Sequence, residues 1–122
     1  MIKRRTTPTR GEIWHANGDP QAGREFQGAH YYLVISALAI NQAFGTAICV
    51  PITSAGAFSR SQGVTVVIDG SSTDNGLVTG VATPFALRAM DLSARGAKYI
   101  STAEPHIMDE ITTMLIELVD PQ

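Results

Sequence analysis

The chain has 122 residues, 44% of them hydrophobic and 16% charged, which suits one ordinary domain with its own core and is too apolar for a disordered segment. No apolar run is long enough to span a bilayer, and the basic start Lys3-Arg4-Arg5 leads into Thr6-Thr7-Pro8 rather than an apolar stretch, so neither a membrane helix nor a secretory leader is expected. The formal charge of −2 argues at first against a polyanionic ligand, but all nine basic residues precede position 99, where six acids leave a net +3, and the other five acids follow in the last stretch.

In chain order, runs rich in β-branched and aromatic residues predict strands at Glu12–Ala16, Tyr31–Ser36, Ala47–Thr53, Val64–Asp69, Leu77–Ala82 and Ala97–Ser101, each bounded by Gly, Asn, Asp, Ser or Pro. A short helix is expected over Ala37–Gln42, stopped by Gly45. Within Val64-Thr65-Val66-Val67-Ile68, alternation sets 64, 66 and 68 on one face and leaves the face of Thr65 for solvent. Ile107, Ile111, Met114, Leu115 and Leu118 recur at helical spacing, and acids occupy the other side, which predicts a closing helix over Pro105–Leu118. Ser101 and Glu104 have capping-box spacing, and Pro105 falls in the first turn. The fold class is mainly β with a C-terminal helix, curled into a small barrel that protects strand edges. The whole of 1–122 is read as a single domain, with 1–9 a flexible N-terminal segment. Cys49, inside Ala47-Ile48-Cys49-Val50, reads as a buried thiol of a reducing compartment, and the expected location is the cytoplasm.

Four short motifs stand in one order: Arg10-Gly11-Glu12-Ile13-Trp14, the loop Asp19-Pro20-Gln21-Ala22-Gly23-Arg24-Glu25-Phe26-Gln27-Gly28, the strand end Val50-Pro51-Ile52-Thr53-Ser54, and Asp91-Leu92-Ser93-Ala94-Arg95-Gly96. In order and spacing they resemble the MazF/PemK toxins, with the Kid/PemK branch most similar, and the resemblance covers roughly residues 10–118. It implies an SH3-like barrel, a homodimer, and a toxin of a type II toxin–antitoxin system that cuts single-stranded mRNA. Its groove would lie between the loop after the first strand and neighbouring strand ends. The sequence departs from the branch pattern at the positions to which catalysis is attributed there. Arg24 stands where the loop His would be, Thr83 and Phe85 replace the Arg and Asp of an Arg-x-Asp, and His30-Tyr31 replaces an Arg-Pro.

RNA cleavage through its own 2′-hydroxyl needs a proton acceptor, a donor for the leaving 5′-oxygen and positive charge at the phosphate. The catalytic candidates are therefore Arg24 for phosphate charge, His30 for proton exchange, since imidazole ordinarily titrates near pH about 6.5, and Thr53 as a hydrogen-bond donor. Glu25, Gln27, Ser54, Phe58, Arg60, Thr83 and Phe85 are the candidate RNA contacts, with aromatic rings able to stack on bases. Each has a plain structural alternative: a barrel histidine at His30, a solvated loop charge at Arg24, a turn-capping hydroxyl at Thr53. Trp14 reads first as core, His15 and His106 as structural, and Arg88 and Arg95 as partners of Asp91. No cofactor is expected, because no His, Cys, Asp and Glu spacing suits a metal.

The expected partner is a cognate antitoxin whose acidic tail competes with RNA for the groove, anchored near Trp14, Phe26 and Phe58. Twofold contact over Phe58, Ile52 and Leu77 would form the homodimer. Two other readings remain open at this point: an inert binding module that keeps the barrel but has lost cleavage, and a poison of DNA gyrase resembling the CcdB toxins.

Overall fold

The computed structural model describes residues 7–17, 31–53 and 64–120. Seven strands and two α-helices follow one another as β1 (Glu12–His15), β2 (Tyr31–Val34), α1 (Leu38–Phe44), β3 (Ala47–Thr53), β4 (Val66–Ile68), β5 (Gly80–Ala82), β6 (Arg88–Met90), β7 (Lys98–Thr102) and α2 (Pro105–Val119), with a 3₁₀ turn at Pro84–Ala86. One antiparallel sheet runs β4-β5-β3-β2-β1-β7, and β6 pairs with the first half of β3. The sheet curls into a half-barrel.

Why β3 is the longest strand follows from its neighbours. One side pairs with β2 from Cys49 to Ile52, while the other is divided between β6, opposite Ala47–Cys49, and β5, opposite Ile52 and Thr53. Pro51 sits at that division. Its carbonyl accepts the N–H of Thr83 at 3.1 Å, so its missing N–H points to the same side, into the gap between β6 and β5, where no ladder bond is lost.

Both faces of the sheet are covered, which explains why Tyr32, Leu33 and Val34 are all fully buried in succession. On one face Ile13, Leu33, Val50, Ile52, Val66 and Ile68 meet Ile107, Met108 and Ile111 of α2. On the other, Trp14, Tyr32, Val34, Cys49, Met90 and Leu92 form a second cluster. Arg10 clamps the first layer: its guanidinium donates to the Ile35 carbonyl and to Thr112 Oγ1 of α2, both at 2.8 Å. Residues 7–9, inside the segment expected to be flexible, are held here, because Asn41 Nδ2 donates to the Pro8 carbonyl at 2.7 Å and the Thr9 N–H donates to Glu12 Oε1 at 2.9 Å.

The two sheet edges are drawn together by the turn between β4 and β5. Thr73 bridges to Ala103, the Asp74 N–H donates to the Thr102 carbonyl, and the Glu104 N–H donates to the Ser72 carbonyl. Asp74 Oδ1 accepts from the Thr102 N–H and from Ser101 Oγ. Ser101 is therefore spent on closing the barrel within β7, and the expected capping box with Glu104 does not form: α2 starts after an extended Glu104 with no side-chain cap. The bond from the Thr102 N–H holds the Asp74 carboxyl below the usual carboxylate range, and Ser71 does the same for Asp69. A carboxyl with a depressed folded-state pKa adds stability above its unfolded value, about 3.9, and that contribution disappears as pH falls through the folded value. Asp74→Asn is expected to flatten the acid limb of a plot of melting temperature against pH, leaving a smaller drop than wild type below about pH 4.

Other expectations shift modestly. The strands read at Val64–Asp69 and Leu77–Ala82 shorten to β4 and β5, and β6 appears where no strand was expected. The helix over 37–42 extends to Phe44 and ends on Gly45, which takes φ 72° and donates its N–H to the Asn41 carbonyl. Ile52, expected at a dimer surface, is 2% exposed and belongs to the core, whereas Leu77 is 67% exposed. Cys49 is fully buried, and burial pushes its thiol up to about 12. It should resist a disulfide reagent in the native protein and react at once in denaturant, as counted by released thiolate.

Candidate nucleic-acid interface

The site residues that the structure describes lie where β3, β5 and the 3₁₀ turn meet. Thr53 ends β3 opposite Val81, and directly opposed residues of an antiparallel pair share a face. Beyond β5 the chain stays extended at Thr83, with φ −120°, before turning at Pro84. Thr83 thereby continues the face of Val81 and Thr53, two residues along.

These three positions differ sharply in environment. The Thr53 hydroxyl is buried and has no hydrogen-bond partner among the described residues. Leaving such a group unpaired costs about 1–3 kcal/mol, so among the described residues it stands as a donor and acceptor open to a further partner. Thr83 is 1% exposed, which makes it part of the floor rather than a contact surface. Phe85, carried outward by the turn, is 54% exposed and offers an aromatic ring beside that floor. The structure thus brings Thr53 and Thr83 to one face and sets Phe85 next to them. Arg24, Glu25, Gln27, His30, Ser54, Phe58 and Arg60 lie outside the described residues.

Gly80 was not singled out in the sequence, yet it sets the position of Thr53. A Cβ built on Gly80 would stand 2.2 Å from the Thr53 carbonyl oxygen, so only glycine lets β5 approach β3 this closely. A lone glycine inside a strand pattern is the available signal. Trp14, offered as a groove anchor, is instead 5% exposed, and its Nε1 donates to the buried Glu12 at 3.2 Å. It packs in the second core layer edge-on to Tyr99, ring centroids 6.1 Å apart. At the Asp91 turn, Asp91 Oδ1 accepts the Ala94 N–H at 3.0 Å, and Arg95 donates to the Asn17 carbonyl at 2.9 Å. That bond ties the turn to the exit of β1. Among the described residues no three His, Cys, Asp or Glu side chains are grouped to hold a metal ion.

This half-barrel with one covering helix is the fold of small MazF-type proteins. The structure superposes on MazF from Deinococcus radiodurans with a TM-score of 0.79 at 27% identity, covering 94% of this chain and 98% of that one. A MazE–MazF complex from the same organism gives a TM-score of 0.74 at 27% identity over 97% and 100% of the two chains. The chain belongs to the family of PemK-like, MazF-like toxins of type II toxin–antitoxin systems, whose profile matches residues 9–119. Endoribonuclease PemK of Escherichia coli is 35% identical over 111 residues, 91% of this chain and 81% of that protein. The endoribonuclease toxin ChpB of Escherichia coli strain K12 is 38% identical over 112 residues, 91% of this chain and 93% of that protein.

Proposed function

We propose that this protein is the toxin of a type II toxin–antitoxin pair and acts as an endoribonuclease on single-stranded mRNA. The observation that carries the reading is the match to two endoribonucleases at 35% and 38% identity over nine-tenths of the chain. The site geometry supports it: a hydroxyl at Thr53 with no hydrogen-bond partner among the described residues and an exposed ring at Phe85 suit a phosphate oxygen and a base.

The reaction joins the 2′-oxygen to phosphorus as the bond to the 5′-oxygen breaks. The 2′-hydroxyl proton passes to a base, and the leaving 5′-oxygen takes up a proton. In this chain His30 exchanges the proton, Arg24 stabilises the phosphate charge, and Thr53 donates to a phosphorus oxygen, without a metal ion. Glu25, Gln27, Ser54, Phe58 and Arg60 are the further RNA contacts of this reading. Thr83 shapes the floor in place of the family's Arg, and Phe85 stacks a base in place of its Asp.

The partner is an antitoxin with an acidic tail that occupies the same groove, attracted by the net +3 of the first 98 residues. Solved neighbours include complexes named MazE–MazF. The toxin works as a homodimer in the cytoplasm. Support for the dimer comes from large apolar side chains left on the described surface, among them Phe44 at 73%, Leu77 at 67% and Val119 at 80% exposed. No helix among the described residues is long and apolar enough to cross a membrane.

The test is incubation of the purified protein with a mixed RNA panel, with and without EDTA, followed by end mapping, for wild type and Arg24→Ala, His30→Ala and Thr53→Ala. Cleavage unaffected by EDTA and lost in the variants is expected. An intact panel with wild type would leave the protein an RNA-inert relative.

A further inference from the structure

At the same end of the sheet, on the face opposite Thr53, a second set of side chains forms a row. His15, the last residue of β1, lies opposite Tyr31 on β2 and opposite Lys98 on β7. Tyr31 in turn lies opposite Ile52 on β3. Directly opposed residues share a face, so Lys98, His15, Tyr31 and Ile52 stand side by side at strand spacing, about 4.8 Å. Burial falls along the row. Ile52 is in the core, Tyr31 is half-buried against the layer under α2, and His15 and Lys98 are exposed. The imidazole and phenol rings meet edge-on, centroids 5.3 Å apart and planes at 73°. This geometry fixes the imidazole through a ring whose own position is set by the core.

We propose that this row is a second contact for single-stranded RNA, in which His15 stacks a nucleobase and Lys98 neutralises a neighbouring phosphate. The proposal rests on the reading of the protein as an RNA-cutting enzyme and extends its substrate path around the strand ends, from the face of Thr53 to the opposite one. Chemistry selects the ligand. A pre-positioned aromatic ring exposed on a sheet accepts any base, and an ammonium on the adjacent strand matches the backbone that follows it. None of the four residues in the row carries a carboxylate to repel a phosphate. The core needs neither exposed side chain: Ile13, two residues earlier on the same strand, already fills the buried layer.

The experiment measures anisotropy of labelled 2′-O-methyl RNA, which lacks the attacking hydroxyl, at two lengths, about 4 and about 16 nucleotides. Wild type should bind the longer RNA more tightly. His15→Ala should weaken the longer RNA about tenfold and leave the shorter one unchanged, and His15→Phe should restore it, because a ring is retained while the imidazole is not. Lys98→Gln should lower the slope of log affinity against log salt for the longer RNA by about 0.7. Melting curves for each variant establish that it is folded.

Loss of wild-type binding at both lengths would defeat the ribonuclease reading itself. Wild-type binding that does not grow with length, or a folded His15→Ala that holds the longer RNA as wild type does, would overturn the second contact alone. So would failure of His15→Phe to restore binding.

Discussion

Gly80→Ala is expected to destabilise the protein by about 3 kcal/mol and to abolish most RNA cleavage. Its Cβ would meet the Thr53 carbonyl oxygen at 2.2 Å and Ile52 Cγ2 at 3.2 Å. The nearer atom is backbone, so no rotamer change can make room. Gly80 also holds φ 149°, which an L side chain rarely adopts. Relief requires β5 to move off β3, breaking the Ile52–Ala82 and Thr53–Val81 pairs and carrying the hydroxyl of Thr53 away from its site. Thermal unfolding should fall by on the order of 10 °C. Gly70→Ala is the control, since nothing lies within 4 Å of a Cβ there, and it should change stability by no more than about 0.5 kcal/mol. A Gly80→Ala protein that melts with wild type would show that β3 and β5 do not pack as described.

The strands that could be read from residue types are those with their own signal. Ala47–Thr53 was expected with the observed bounds because a β-branched run ends at a turn-forming Ser-Ala-Gly. β6 was not legible: Arg88-Ala89-Met90 has no distinctive alternation and is a strand only because β3 offers Ala47–Cys49 as a partner. That is tertiary context overriding weak propensity. Ser101 illustrates the converse. Its spacing from Glu104 is correct for a cap, yet its hydroxyl donates instead to Asn75 Oδ1 at 2.6 Å and Asp74 Oδ1 at 3.0 Å, residues more than twenty positions away. Local pattern contains no information about that competitor. For the site, Thr53 was legible through its motif. The burial of Thr83 and the outward turn of Phe85 depend on the 3₁₀ segment between β5 and β6, which no periodicity announces. His15 read as structural because a lone histidine in a strand lacks metal-ligand spacing, and its place at the rim emerges only from register with Tyr31 and Lys98.

Thr53→Val separates the two demands made on that position. Valine keeps the β-branched shape that suits the end of β3 and removes only the hydroxyl. In the folded protein that hydroxyl is buried without a partner among the described residues, so its desolvation is not offset by any bond that those residues supply. Removing it should therefore raise stability, by about 1 kcal/mol, visible as a higher urea midpoint at unchanged slope. If the hydroxyl donates to a phosphorus oxygen as charge builds in the transition state, the same change should lower the cleavage rate by about 10²-fold. Thr53→Ser restores a hydroxyl without the methyl and should recover most of the rate while melting below wild type. A structural hydroxyl would behave oppositely: Thr53→Val would lose stability and activity together. A more stable but nearly inactive Thr53→Val is the outcome that assigns the hydroxyl to the substrate, and a more stable variant with full activity would remove Thr53 from the catalytic set.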